Sequence, residues 1–392
     1  MKKNFTLLAF LLCSVIGLAQ IPAGYYSTAT GSGYTLKTQL STIITNGHID
    51  QGYGALWTLY TNNNTFHDQY DDNDNSIYDL YSEIIGSPET GSYPFTPSTD
   101  QCGSYSNEGD CYNREHLVPQ SYFDHYGDNP MKNDPFHVVP ADGKVNGWRN
   151  NLPFGIVSGS TSPCNNGATN IPCNSINNSK KGSNTISPFS NFVGTVFEPI
   201  DEFKGDIARS YFYFATRYES LMDDFYIGAN ASSCEVKNMF DGSTNKVFSD
   251  AFILLLIKWH KQDPVSAKEI AQNNAIYTFQ GNRNPFIDNP SYVCNIWITQ
   301  CNTVDTLSSD SFAFESGISI YPNPAVNNEV TISSETELKS IVLYNINGQI
   351  IQEIKNPTRV DNSYKVNNLS SGFYLVQMAS ENAVATKKVI VN

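Results

Sequence analysis

The chain has 392 residues, which is more than one ordinary domain needs. Its composition, 12% aromatic and only 16% charged, fits a secreted, loop-rich globular protein better than a disordered one. A formal net charge of -14 argues against a module that binds duplex nucleic acid non-specifically, because such binding depends largely on neutralising phosphates. An enzyme that acts on nucleic acid is not excluded, since a metal ion and a local basic patch can supply its site.

The N-terminal segment has the pattern of an export signal. A basic pair, Lys2-Lys3, precedes an apolar stretch from Leu7 to Leu18, and we expect cleavage after Ala19 or Gln20. The apolar stretch is too short to span a bilayer, so stable membrane insertion is not expected. Residues 1–20 are therefore predicted to be a signal peptide, with a buried N-terminal helix as the alternative.

The cysteines indicate disulfides, which export permits. Cys13 leaves with the signal, and six of the seven others form three close pairs, although spacing alone does not fix connectivity. Cys234 is left over, and the absence of a C-x-x-C motif argues against a structural zinc site. The predicted pairs are Cys102 with Cys111, Cys164 with Cys173, and Cys294 with Cys301.

An acidic stretch from Asp71 to Asn75 has two interpretations. It could hold calcium, but it lacks the glycine at position six and the glutamate at position twelve of an EF-hand loop. The favoured interpretation is a surface turn that leads into a strand over Ile77–Ser82.

The most informative stretch runs from Cys111 to Asn151 and contains Arg114-Glu115-His116, followed by Pro119. Adjacent side chains of an extended strand point to opposite faces. A bend near Pro119 would nevertheless let the carboxylate and the imidazole reach one place. The alternative is that the pair is only a polar strand end.

The end of this stretch, Val145–Asn151, has the character of the first turns of a helix. Asn150 and Asn151 would then lie about one turn beyond Asn146, on or near its face. A neutral imidazole can take a proton from water, and a carboxylate with an amide oxygen can hold a hard divalent cation on a phosphate. A strand with His followed by a helix with Asn therefore favours metal-dependent phosphodiester hydrolysis.

Two arginines outside this stretch are candidate phosphate contacts. Arg209 lies on the second face of a predicted helix over Asp201–Tyr218, for which a core helix with solvated arginines is the alternative. Arg283 lies in a polar turn, Gln280–Pro290. A core helix is also predicted over Phe252–Gln262.

The C-terminal part changes character. Residues 304–316 are small and polar, which predicts a linker, and from Gly317 to Asn392 short alternating strands and the Asn347-Gly348 turn predict a small β-sandwich. No catalytic constellation occurs there. The preceding residues, 21–303, are predicted to form one separate, mainly helical domain.

Four stretches in this order resemble the endonuclease I family, secreted or periplasmic nucleases with a ββα-metal active site. The stretches are Asn113–Pro119, Asp134–Asn151, Phe197–Pro199 with Lys204–Arg209, and Gln280–Phe286. The resemblance implies an α+β fold, a mainly helical nuclease domain with a ββα-metal core, followed here by the all-β sandwich domain. It also implies DNA and RNA as substrates, cut with little sequence preference, and Mg²⁺ as the cofactor, with Mn²⁺ or Ca²⁺ as alternatives.

The same resemblance implies roles for individual residues. His116 would be the general base and Glu115 a metal ligand. Asn151 ends a motif similar to the family's N-G-x-R-x-N and would be the second ligand, with Asn146 in reserve. The arginine that family members commonly carry between the His strand and the Asn helix is missing here. Lys132 is its candidate replacement, and the other candidate substrate contacts are Arg114, Arg149, Arg209 and Arg283.

Residues from about 317 to 392 resemble the C-terminal sorting domain of the type IX secretion system. The resemblance rests on Tyr321–Pro324, Leu343–Gln349 and Leu369–Tyr374, in this order near the C-terminus. It implies the type IX machinery as a partner and export across the outer membrane, with release or attachment to the cell surface.

Together these observations predict an extracellular, metal-dependent, non-specific endonuclease that acts as a monomer. The alternative is a secreted adhesin or glycan-binding protein whose acidic loops hold calcium structurally. Degradation of DNA and RNA with and without a chelator discriminates between them. A zinc peptidase is disfavoured because no H-E-x-x-H motif occurs.

Overall fold

The computed structural model describes residues 21–123, 130–165, 169–187, 189, 193–227, 234–381 and 383–392. The predicted signal peptide lies outside these residues. Within them, no helix is both long and apolar enough to cross a membrane.

Helices dominate the chain up to Ser316. In chain order the α-helices are α1 (Gly33–Thr45), α2 (Ala55–Asn62), α3 (Gly143–Arg149), α4 (Lys204–Arg217), α5 (Met222–Ile227), α6 (Cys234–Met239), α7 (Asp250–Gln262), α8 (Ala267–Gln280), α9 (Pro285–Asp288), α10 (Tyr292–Ile296) and α11 (Ile298–Ser316).

The strands form three groups. Two antiparallel strands are β1 (Tyr112–His116) and β2 (Val138–Asp142). A small sheet consists of β3 (Ser162–Pro163), β4 (Cys173–Asn174), β5 (Lys180–Ser183) and β6 (Thr195–Glu198). The C-terminal strands are β7 (Ser319–Val326), β8 (Glu329–Ser333), β9 (Ser340–Asn345), β10 (Ile350–Lys355), β11 (Ser363–Val366), β12 (Gly372–Ala379) and β13 (Val384–Val391).

Apolar spacing explains the helices that surround the N-terminal core. In α1, Leu36, Leu40 and Ile44 follow one another at intervals of four residues and are all buried. Helices α4 and α7 pack against each other at the centre, where the rings of Tyr211 and Phe252 lie 5.3 Å apart. The helices predicted over Asp201–Tyr218 and Phe252–Gln262 are confirmed.

The C-terminal strands are hydrogen-bonded in the order β10-β9-β12-β13-β7-β8-β11. Strand β7 joins two groups of strands, because its Ile320 pairs with Ile332 of β8 whereas its Ala325 pairs with Val391 of β13. The Pro322-Asn323-Pro324 segment lies between these pairings, where the register shifts. The all-β character predicted for this part is confirmed, and β11 is a further short strand that the sequence pattern did not reveal.

Two local predictions differ from the structure. The predicted linker, residues 304–316, lies within helix α11, whose Val304 is buried in the N-terminal core and whose Phe314 is buried in the C-terminal one. Over Ile77–Ser82 no strand forms; Ile77 makes only an isolated bridge with His67. In residues 304–316, burial of Val304 near one end and of Phe314 near the other explains how a segment of small polar residues can be helical.

The three predicted disulfides are present. They join Cys102 to Cys111, Cys164 to Cys173, and Cys294 to Cys301. The bond between Cys102 and Cys111 closes the loop that immediately precedes β1, and thereby ties that loop to the strand that carries the candidate base.

Candidate active site

Strands β1 and β2 and helix α3 hold the candidate site. In the antiparallel register, Glu115 faces Val139 and His116 faces Val138. Asp142 ends β2 and caps α3, because its side chain accepts hydrogen bonds from Val145 N at 2.9 Å and from Gly109 N at 2.6 Å. The end of β2, the start of α3 and the loop at Gly109 are thus held together.

The His116 ring has a defined tautomer. Its Nε2 lies 3.1 Å from the carbonyl oxygen of Lys132. A carbonyl only accepts hydrogen bonds, so Nε2 carries the proton and Nδ1 is left with a lone pair. Burial, with His137 as the next contribution, lowers the pKa of His116 to about 3, so the ring is neutral at neutral pH. Nδ1 has no hydrogen-bond partner in the described part of the chain.

Glu115 is 2% exposed and is held through one oxygen only. Its Oε1 accepts a hydrogen bond from the Tyr81 hydroxyl at 2.9 Å and lies 3.2 Å from Arg149 Nη1. Burial raises the pKa of Glu115 to about 7, and Arg149 and Tyr81 oppose that rise. Oε2 makes no hydrogen bond to any described residue, so it is available to a cation, which would favour the ionised form.

The predicted ligands lie in one cleft of about 250 Å³, which Glu115 and His116 line together with Asn146 and Asn151. Asn150 ends α3 with a positive φ of 51° and turns the chain there. The side-chain amide of Asn151 makes no hydrogen bond within the described residues. Asn146 is partly engaged, because its Nδ2 donates to the Arg114 carbonyl at 3.3 Å. Free carboxylate and amide oxygens in one cleft fit a hard divalent cation.

Two cations border the cleft. Arg114 lines it, with the guanidinium carbon 3.5 Å from the centre of the Tyr53 ring and 4.3 Å from that of Trp57. Lys132 lies beside His116, with its Nζ 5.3 Å from the Tyr53 ring centre. Both side chains are only partly buried, and Arg114 Nη1 donates to the Tyr53 carbonyl at 2.8 Å.

The predicted substrate contact of Arg149 requires correction. The side chain is 1% exposed, and its Nη1 and Nη2 donate to the carbonyl oxygens of His116 at 2.8 Å and Leu117 at 2.6 Å. These bonds, with the ion pair to Glu115, hold the end of β1 in place. Arg149 is therefore a positioning residue.

Arg209 and Arg283 are also placed away from any substrate. Arg209 is fully buried and forms a two-pronged ion pair with Glu269 and a further pair with Asp206. Arg283 is 1% exposed and pairs with Asp288 through Nε and Nη2. The prediction of phosphate contacts is wrong for both, because both side chains are buried and ion-paired inside the protein.

Three tyrosines at the site were not predicted. Tyr81 holds Glu115, and Tyr53 stacks on His116 with ring centres 5.7 Å apart. Tyr105 lines the cleft and lies against α3, where a Cβ added at Gly143 would lie 2.5 Å from its ring and one added at Gly147 would lie 2.7 Å from its hydroxyl oxygen. Each tyrosine lies in a segment without a recognisable motif, so no signal in the sequence singled it out.

Comparison with known proteins supports a hydrolase that acts on nucleic acids. The chain belongs to the endonuclease I family, since the family model described as Endonuclease I matches residues 32–291. A second model, the secretion system C-terminal sorting domain, matches residues 319–392. The two resemblances read from the sequence are confirmed.

Two curated relatives support this assignment. An extracellular ribonuclease of Bacillus amyloliquefaciens is 31% identical over 275 residues, which are 70% of this chain and 78% of the relative. An extracellular ribonuclease of Bacillus subtilis (strain 168) is 31% identical over 277 residues, with the same coverage of both chains. A solved structure of a type IX secretion surface component of Porphyromonas gingivalis aligns with 21% of this chain and 12% of its own. It is 19% identical with a TM-score of 0.17, too low to establish a shared fold.

These findings describe a secreted nuclease. The sorting domain shows that the chain is exported by the type IX system to the cell surface or the medium. The relatives are likewise extracellular proteins.

Proposed function

We propose that the protein is an extracellular, metal-dependent endonuclease that hydrolyses phosphodiester bonds of RNA and DNA with little sequence preference. We expect Mg²⁺ as the cofactor, with Mn²⁺ or Ca²⁺ as alternatives, and a monomer as the active form. The observation that carries the proposal is the His116 ring, whose free Nδ1 shares a cleft with the free Oε2 of Glu115 and the amide of Asn151.

His116 acts as the general base in this proposal. The Lys132 carbonyl holds the proton on Nε2, so Nδ1 is the atom that removes a proton from the attacking water. The Tyr53 ring stacks on the imidazole and, with the hydrogen bond, keeps its orientation. The low pKa of His116 keeps it unprotonated before reaction.

Glu115 and Asn151 would hold the cation, with Asn146 as the reserve ligand. When bound, a divalent ion neutralises charge that develops on the phosphate and the leaving oxygen. Arg149 and Tyr81 fix one oxygen of Glu115 and leave the other directed at the cleft. Arg114 and Lys132 would contact the substrate phosphates, which gives an acidic protein a local positive border.

The division of the chain into a nuclease domain, residues 21–303, and a sorting domain, residues 317–392, is part of this proposal. The matched ranges support it, and so do the two hydrophobic cores. RNA as one substrate is supported by the names of the two Bacillus relatives, which are both ribonucleases.

The test is His116→Ala, assayed on RNA and on plasmid DNA with Mg²⁺. We expect activity to fall by about 10²–10⁴-fold, which is what general base catalysis contributes, while circular dichroism and Tm stay near the wild-type values. His48→Ala, which lies outside the cleft, is the matched control. Cleavage by His116→Ala at the wild-type rate would contradict the proposed base.

Chelation separates this proposal from the alternative of a calcium-stabilised adhesin. We expect EDTA to abolish cleavage of both nucleic acids and added Mg²⁺ to restore it. A folded protein that degrades neither RNA nor DNA with any divalent cation would favour the adhesin.

A further inference from the structure

A short turn between strands β1 and β2 determines where the proposed base lies. Residues Pro130–Asn133 form one turn of 3₁₀-helix. The Lys132 carbonyl oxygen of this turn accepts the hydrogen bond from His116 Nε2 at 3.1 Å. The orientation of the His116 ring therefore depends on the position of the turn.

The sequence explains why the Lys132 carbonyl is available to an imidazole. In a 3₁₀-helix a carbonyl oxygen accepts from the N–H group three positions later. For Lys132 that residue is Pro135, which has no N–H group. The following N–H group, that of Phe136, donates to Asp134 Oδ1 at 3.1 Å instead. The Lys132 carbonyl thus takes its partner from another segment, the end of β1.

A second imidazole, that of His137, holds the same turn. His137 is completely buried, and its Nε2 forms a hydrogen bond with the carbonyl oxygen of Met131, the residue immediately before Lys132. A carbonyl only accepts, so Nε2 carries the proton. The backbone N–H of His137 donates to the Asp134 carbonyl at 3.1 Å. His137 is therefore bonded to the chain on both sides of Lys132.

His137 is also packed against the strand that carries the base. Its carbonyl oxygen accepts from the backbone N–H of Leu117, the residue after His116, at 2.9 Å. The ring centres of His116 and His137 lie 5.8 Å apart, and the Phe123 ring lies about equally far from both, at 6.1 Å and 6.0 Å. The two imidazoles and the two adjacent carbonyl groups form one packed unit.

The His137 ring makes its hydrogen bond at a cost to stability. Burial lowers its pKa to about 4, although Asp134 opposes the change, so the ring is neutral at neutral pH. Its Nδ1 is then a lone pair, which is buried and has no hydrogen-bond partner in the described part of the chain. Because an unsatisfied buried polar atom is unfavourable, apolar packing alone does not explain an imidazole here.

We propose that His137 is a positioning residue for the general base, because its Nε2 proton fixes the Met131 carbonyl and with it the neighbouring Lys132 carbonyl that orients His116. This inference rests on the proposed role of His116. His137 does not line the cleft, so it acts through His116. Without its hydrogen bond the turn shifts, His116 Nε2 loses its acceptor, and Nδ1 no longer points at the attacking water.

The test compares His137→Leu, which removes the donor, with His137→Gln, whose side-chain amide nitrogen can still donate to the Met131 carbonyl. For His137→Leu we expect kcat on RNA to fall by about 10–100-fold while KM changes by less than about threefold, since misplacing a base affects the transition state more than substrate binding. His137→Gln should recover most of the lost kcat.

His67 provides the matched control. It is 4% exposed, its Nε2 lies 2.8 Å from the Tyr60 carbonyl oxygen, and it does not line the cleft. His67→Leu removes the same kind of buried hydrogen bond. It should lower Tm about as much as His137→Leu does, yet leave kcat near the wild-type value. The pair separates positioning from a general loss of stability.

A spectroscopic measurement needs neither substrate nor metal. In proton–nitrogen correlation spectra of the wild type, the Nε2–H groups of His116 and His137 should both be visible, because buried, hydrogen-bonded protons exchange slowly with water. His137→Leu should lose the His116 signal through faster exchange, and His67→Leu should retain it. This readout distinguishes failure of the inference from failure of the proposed nuclease function, which the activity of His116→Ala decides.

Four outcomes would overturn the inference. They are an unchanged kcat in folded His137→Leu, an equal loss of kcat in His67→Leu, an unchanged His116 signal in His137→Leu, and a wild-type His137 protonated on Nδ1. If His137→Leu does not fold, His137→Asn replaces it, because the shorter amide does not reach the Met131 carbonyl. Equal kcat values for His137→Asn and His137→Gln would then count against the inference.

Discussion

The parts of the chain before and after residue 316 differ in how many polar side chains they bury. Among the described residues after 316, Ser334 is the only polar side chain that is buried, apart from tyrosines. The part before 316 buries charges throughout its core, in the cleft and far from it. Buried charges that the structure pairs are Lys37 with Glu219, Arg149 with Glu115, Arg209 with Glu269, and Arg283 with Asp288.

This difference supports placing the proposed active site before residue 316. Burying a charge is costly, so an ordinary fold either excludes it, as the C-terminal strands do, or pairs it. Buried carboxylate oxygens that stay unpaired are then informative. Among the described residues, Glu83 and Glu89 each have such an oxygen, and Glu115 has a carboxylate oxygen in the cleft that accepts no hydrogen bond.

The largest effect on stability is expected when a buried ion pair is broken. Arg209→Met leaves the buried Glu269 without its ion-pair partner, whereas Asp206 keeps its ion pair with Lys268. We expect the free energy of unfolding to fall by about 3–5 kcal/mol, measured by urea denaturation. The double variant Arg209→Met/Glu269→Gln should be more stable than the single variant, because it no longer buries the Glu269 charge.

Arg359 is the matched control from the other region. It is the only arginine after residue 316, is partly exposed, and donates to the backbone carbonyl oxygens of Ser334 and Glu335. Arg359→Met should cost about 1 kcal/mol or less. Equal losses of unfolding free energy in Arg209→Met and Arg359→Met would contradict the proposed difference between the two regions.

The second prediction concerns the support of the proposed metal ligand. Tyr81→Phe removes the hydroxyl that fixes Glu115 Oε1, and loss of such a contact behind a ligand reduces metal affinity or activity by about 10–100-fold. The measurement is cleavage rate against Mg²⁺ concentration. Tyr112→Phe, whose hydroxyl donates to the Pro97 carbonyl instead, is the control. A Mg²⁺ dependence shifted equally in both variants would remove the special role of Tyr81.

Local sequence patterns correctly predicted the features that depend on residues close together in the sequence. The apolar run from Phe252 identifies α7, and Glu115-His116 before Pro119 identifies the cleft. These features need only a few adjacent residues. The same holds for the disulfides, whose partners are seven or nine residues apart.

The wrong predictions depend on distant residues. The position of Arg209 on a helix face suggested a phosphate contact. Its partner in the structure is Glu269, which lies sixty positions later in the sequence. Tyr81 reaches Glu115 across thirty-four positions. Local composition indicates neither contact, because each forms only when distant segments of the chain pack together.

The third prediction uses acid to probe the buried imidazole of His260 in α7. The groups that face it are the Arg209 guanidinium at 3.5 Å, Lys261 and the Pro290 carbonyl. Burial, and then Arg209, lowers the pKa of His260 to about 4. The unfolded chain therefore binds more protons than the folded one between pH 6.5 and pH 4, and stability is lost as pH falls through that window.

His260→Gln should reduce this loss. We expect the stability difference between pH 7 and pH 4.5 to shrink by about 1–3 kcal/mol in the variant, from urea denaturation at both pH values. The C-terminal strands contain no histidine, so they contribute nothing to the histidine-dependent loss of stability in acid. An unchanged difference would show that His260 protonates as easily in the folded chain as in the unfolded one.

The last prediction, with the smallest expected effect, removes the C-terminal region altogether. Every proposed ligand, base and phosphate contact precedes Cys301. After Cys301 the sequence contains no histidine, no cysteine and a single arginine, Arg359. A chain ending after Leu307 keeps Val304, which belongs to the N-terminal core, and loses Phe314, which belongs to the other. We expect it to fold and to cut RNA at nearly the rate of the full-length protein, both prepared without the signal peptide. A soluble, metal-bound truncated form that is roughly tenfold slower, a barrier change of about 1.4 kcal/mol, would mean that the C-terminal strands help to hold the substrate.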